Sequence, residues 1–241
     1  MISQTPMLAY HSDTNIKRKY LARVRAHAKA DELLQGYGYW KNGKGCAVGC
    51  TIHGDSHEVY EIELGIPAEI AYLEDHFFER LEQQTARVWP ARFLAAIKPG
   101  ADLSRIYDQW SAWNLIDPVD GVITLVTNDY PDVQRIVRET GEACLNGDRV
   151  NAARAARAAR AAEAARAAWA ARAAAGAARA AEAAAGAAWA AGAAEAARAA
   201  AWAAEAAAGA AWAAGAAEAA AGAAYYIRAS DKLIALLEAA A

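Results

Sequence analysis

The stretch 15-NIKRKYLARVRAHAKADELLQG-36 decides the fold class. At 100° per residue, Ile16, Tyr20, Val24, His27, Asp31 and Leu34 fall along one side, while Lys17, Arg18, Arg25 and Lys29 gather on another. This is the pattern of an amphipathic helix with a basic face, and Gly36 stands where a C-terminal stop is expected. Helical patterning recurs at 67-PAEIAYLEDHFFERLEQQT-85, opened by a proline in its first turn, and at 90-PARFLAAI-97, 101-ADLSRIYDQWSAWNLI-116 and 131-PDVQRIVRETGEACLNG-147. Only 58-EVYEIEL-64 and 121-GVITLVT-127 read as strands, enough for one short pair. The chain is expected to be mostly α.

Its composition breaks near residue 150. All six prolines lie at or before Pro131, whereas 152–224 holds 51 alanines in 73 residues. Residues 1–147, with Trp40, Trp89, Trp110 and Trp113, are diverse enough for one compact helical domain, and 148–241 forms an Ala-rich helical repeat. Within that repeat AEAAAGAAWAAGAAEAA stands at both 181–197 and 204–220, a duplication displaced by 23 residues. Alanine is the strongest helix former, so the segment is expected to be one long helix or an antiparallel helical hairpin. Seven arginines and one glutamate lie between 149 and 179, against one arginine and four glutamates between 180 and 224. An antiparallel neighbour lays unlike charges together, which points to self-association through the tail. Residues 199–224 carry only Glu205 and Glu218 as charges, yet two carboxylates among near-neutral alanines make membrane insertion unfavourable.

The charge balance, 25 Lys+Arg against 28 Asp+Glu, leaves a net −3 and no overall field to recruit nucleic acid or anionic lipid. The basic face of 15–36 reads as a solvated helix face rather than a nucleic-acid contact. Three cysteines make no disulfide framework, and MISQTPMLAYHSDT shows neither a basic nor an apolar signal region, so a reduced, cytoplasmic setting is expected.

Side chains that do chemistry are densest in 43-GKGCAVGCTIHGDSH-57. Cys46, Cys50, His53 and His57 read C-x3-C-x2-H-x3-H, each pair within zinc-site spacing, but with two residues between pairs where a zinc finger has about a dozen. Three ligands from this loop and one from His27 or Asp31 on the first helix would converge more easily. As a thiol site, Cys50 would open a short helix with His53 as base, although Gly54 ends that helix at once and no third orienting group is evident. The reading favoured by composition is packing: the glycines turn the chain tightly, and Cys46, Val48, Cys50 and Ile52 plug the gap against Trp40 and the first helix.

The GKGCAVGC block after ADELLQG, then 64-LGIPAEIAYLEDHFFERL-81, 89-WPARFLAAIKPGADL-103 and the Ala-rich C-terminal part, resemble a group of uncharacterised proteins encoded in bacterial and phage genomes. The resemblance implies a prokaryotic or phage accessory protein and transfers no catalytic residue. The expectation is a non-enzymatic binding or assembly protein whose tail mediates helix association. The alternative is a metal- or thiol-dependent enzyme built on Cys46, Cys50, His53 and His57, with zinc as the metal.

Overall fold

The computed structural model describes residues 7–126, 131–148 and 222–241. They are mostly helical, 68% by residue, with eight α-helices and one two-stranded sheet. In chain order these are α1 (Thr14–Lys29), a hairpin of β1 (Trp40–Lys41) and β2 (Lys44–Gly45), α2 (Ala47–Ile52), α3 (Val59–Leu64), α4 (Ala68–Arg80), α5 (Gln83–Ala96), α6 (Ile106–Ile116) and α7 (Pro131–Asn146). A last helix, α8, spans 222–239. The readings of 149–221 as a rod, a hairpin or a self-associating tail lie outside the described residues.

Helix α1 begins at Asp13, whose carboxylate accepts the Asn15 N–H at 2.7 Å and so satisfies one of the free amides of the first turn. It buries Tyr20 and Val24 and stops at Lys29, short of Gly36. The reason lies in Asp31, which turns into the left-handed region at φ 60°, a conformation Asp tolerates better than most residues. The chain beyond it peels away and pairs with the hairpin: Gly45 N–H donates to the Glu32 carbonyl and Leu34 N–H to the Gly45 carbonyl.

Neither expected strand is a strand. Residues 59–64 are helical because Gly65, at φ 62°, closes the turn and returns its N–H to Glu61 and Tyr60. Tyr60 and Leu64, four residues apart, are buried, while Ile62 faces solvent. Residues 122–125 form a 3-10 turn, with the Thr124 hydroxyl donating to the Gly121 carbonyl. The sheet forms instead at 40–45, around the Asn42–Gly43 turn, where both residues have positive φ.

The core gathers Trp89, Phe93 and Leu94 of α5, Phe77 and Phe78 of α4, Tyr20 and Val24 of α1, and Tyr10 from the N-terminal turn. It is completed by α8, which inserts Ala229, Leu233, Ile234 and Leu237, each 5% exposed or less. Trp110 donates its indole N–H to the Ala229 carbonyl at 3.1 Å, and Arg92 pairs with Asp231 at 2.7 Å. The residue-148 boundary read from composition therefore does not set α8 apart, because α8 shares the core of the N-terminal part. Helix α7 packs on the neighbouring face of α6, where Gly141 leaves room for the Ile116 side chain.

One carboxyl lies inside this core. Glu74 is fully buried, accepts the Tyr60 hydroxyl at 2.7 Å on Oε2, and has no partner for Oε1 among the described residues. Burial raises its pKa well above the ordinary carboxylate range.

Two outcomes follow. Leu237→Ala should lower unfolding stability by about 2–5 kcal/mol, read by urea denaturation; a cost below about 1 kcal/mol would mean α8 is only loosely seated. Glu74→Gln should stabilise increasingly as pH rises. The raised folded pKa makes wild-type stability fall above the unfolded value of about 4.3, by up to about 1.4 kcal/mol per pH unit until the folded pKa is passed, and the amide removes that fall. Parallel stability–pH curves for the two proteins would contradict this.

Candidate functional site

The glycine-rich stretch is shaped by one close approach. Built onto Gly45 or Gly49, a Cβ would sit 1.8 or 1.3 Å from the Tyr39 carbonyl oxygen, so neither position admits a side chain without moving the hairpin. This contact lays β1 against α2 and fixes where the cysteines and histidines between and beyond the two glycines point. Helix α2 is buried along its whole length.

Both thiols in the loop face inward. Cys46 precedes α2 and accepts the Gly49 N–H on its sulfur at 3.5 Å. Burial, and then the neighbouring Asp75 carboxylate, push its pKa far above that of a free thiol. Cys50 lies inside α2 and donates its S–H to the carbonyls of Gly45 at 3.5 Å and Glu32 at 3.6 Å. Burial pushes it up to about 12. A reactive cysteine has the opposite environment, with its thiolate stabilised and reachable. Cys144 is also buried and forms no disulfide.

The two histidines part company. His53 ends α2 in the left-handed region, φ 56° and ψ 43°, a position where glycine is favoured and another residue costs about 1–3 kcal/mol. Its ring stacks on Trp40 at 4.3 Å and 16°, and its Nε2 lies 2.8 Å from Nε2 of His27. On the far side of the His27 ring, Nδ1 meets the Glu32 carboxylate at 2.6 Å. With that proton assigned to Nδ1, His27 presents an unprotonated Nε2 to His53. Desolvation first, then the charge of Arg23 and the proximity of His27, hold the His53 pKa below the ordinary imidazole value, against the pull of Glu32 and Glu63.

His57 lies in a second cluster. It is almost wholly buried, stacks on Tyr72 at 3.7 Å and 16°, meets the edge of Tyr39 at 5.4 Å, and stands 3.7 Å from Asp75 Oδ2. That spacing is too long for a hydrogen bond, and neither His57 Nε2 nor Asp75 Oδ1 has a hydrogen-bond partner among the described residues.

The expected ligand set of Cys46, Cys50, His53 and His57 is thus not brought together. His53 joins His27 and Glu32, Cys46 and His57 lie beside Asp75, and Cys50 turns to backbone carbonyls, because α2 and the turn after it send these side chains to different neighbours. Asp31 points elsewhere and pairs with Arg87 at 3.3 Å. Among the described residues no three His, Cys, Asp or Glu side chains are arranged to hold a metal ion. What the sequence reading missed is Glu32 and Asp75. Glu32 follows His27 by five residues and would not face it on a continuous helix; it does so because α1 has already ended. Asp75 sits on α4 with no local pattern to distinguish it.

Comparison with models of protein families, with curated proteins and with solved structures finds no significant match in any of the three.

The inward thiols give a direct measurement. In the folded chain all three cysteines should alkylate far more slowly at pH 7–8 than in urea, since Cys46 and Cys50 are both buried and held in the thiol form. Rapid native labelling of Cys50 would contradict the geometry described.

Proposed function

We propose that the chain is a non-enzymatic binding or assembly module, an accessory protein of the bacterial or phage kind that its sequence resembles, in which a compact helical body carries the Ala-rich segment as its means of association. The observation that carries this reading is where the segment is attached. At one end, Arg105 beside α6 donates to the Leu145 carbonyl of α7 at 2.6 Å. At the other, Tyr225 of α8 hydrogen-bonds Asn114 of α6, and Arg228 meets Asp120 at 2.5 Å. The described residues on both flanks of 149–221 therefore contact the same part of one folded body, in and beside α6.

Charge supports the reading as well. The basic first half and acidic second half of the segment suit an antiparallel neighbour, from the same chain or another. Each exposed pair contributes only ~0–1 kcal/mol, so charge chooses orientation while alanine and tryptophan contacts supply the attraction. The buried thiols weigh against the alternative of a thiol enzyme, because Cys50 is both shielded and held in its unreactive form.

Replacing 149–221 by a short Gly/Ser linker and comparing the two proteins by light scattering tests the proposal. The full chain should form the larger assembly and the shortened one should be a folded monomer. Identical masses for two folded proteins would refute association through the segment.

A further inference from the structure

We propose that His27 and His53 form a two-imidazole site for a divalent transition ion of borderline softness, such as zinc or nickel, with water completing its coordination. The proposal does not depend on the assembly reading. Two imidazole nitrogens from positions 26 residues apart meet at 2.8 Å, one ring held by a helix and the other by a helix end. Imidazole is the nitrogen ligand that zinc and nickel prefer, while magnesium and calcium take oxygen.

Three further features fit a ligand role. Glu32 binds the far nitrogen of His27, the arrangement by which a carboxylate fixes the tautomer of a metal-bound histidine and raises its basicity. His53 occupies a left-handed position that glycine would fill with less strain, so the chain keeps an imidazole there at a cost. The Trp40 ring stacks under His53 and limits where it swings, while His53 itself is exposed, leaving an open path for the ion and its waters.

The rings approach head-on, with centroids 5.1 Å apart, which is the geometry of an N–H···N bond in which one proton lies between them. A tetrahedral ion bound at about 2.0–2.1 Å holds two nitrogens about 3.3 Å apart with converging lone pairs, so that proton moves to His53 Nδ1 and the rings open by about half an ångström and tilt off their common line. Because His53 is the exposed partner and ends its helix, the movement falls on it rather than on His27. With only two protein ligands, the ion would be exchangeable rather than a structural part of the fold, and protons would compete with it as pH falls through the imidazole range.

The test uses the untagged full-length chain, stripped by chelator and titrated calorimetrically with zinc and with nickel, and with magnesium as the control. The wild type should bind one zinc or nickel per chain and no magnesium, with affinity falling between pH 7.5 and 5.5 as protons compete for the imidazoles. Glu32→Gln should weaken binding roughly tenfold. His53→Gly is the decisive variant: it removes the ligand yet suits the left-handed backbone, so zinc binding should fall at least tenfold while the melting temperature is kept or raised. No binding by the wild type at millimolar zinc, or wild-type affinity in a folded His53→Gly protein, would overturn the proposal.

Discussion

The contact between the Tyr39 carbonyl and the backbone of α2 governs the part of the molecule richest in functional groups. Because Gly45 and Gly49 lack side chains, β1 lies directly on the helix, and Trp40 follows into place beside His53 and His27. The same approach turns Cys50 toward the carbonyls of Gly45 and Glu32. A loop whose composition suggests metal chemistry is thus organised first by sterics. Its glycines set the distance, its cysteines fill and cap, and the polar rings are left at the edges.

Those edges differ in kind. Around His53 the groups are half-open and hydrogen-bonded in series, from the Glu32 carboxylate through His27 to the last residue of α2. Around His57 they are closed over by Tyr39 and Tyr72 and include buried polar atoms without partners. The fully buried Glu74, next in sequence to Asp75, adds an internal carboxyl on α4. Polar groups placed this way lower stability relative to an apolar core, and in Glu74 burial favours the neutral acid.

How much of this was legible follows from the range of the forces involved. The helices could be read because the period of apolar residues is a local property: Tyr20 and Val24, or Phe77 and Phe78, declare a buried face within a few turns. The end of α1 could not, because the chain leaves the helix at Asp31 and Leu33 then pairs with Gly45, twelve residues on. The run 58–64 alternates like a strand, and its helical state depends on the left-handed turn at Gly65. The histidine pair needed the break in α1 before Glu32 could face His27. The place of α8 is hidden by its context, since 225-YYIRASDKLIALLEA-239 follows the alanine repeat directly and composition groups the two.

That last helix has a consequence for how the chain is made. A ribosome delivers the N-terminal helices first, but the residues that complete their core, Leu233, Ile234 and Leu237, emerge only after the alanine repeat. At about 5–20 residues per second, the 93 residues after 148 take roughly 5–20 s to synthesise, a long interval beside the folding time of a small helical domain. During that interval the apolar surface meant for α8, including Trp110 and its indole N–H, lacks its native cover. The nascent chain therefore holds this surface without its native cover for as long as the alanine repeat is being translated, and each lengthening of the repeat extends its exposure.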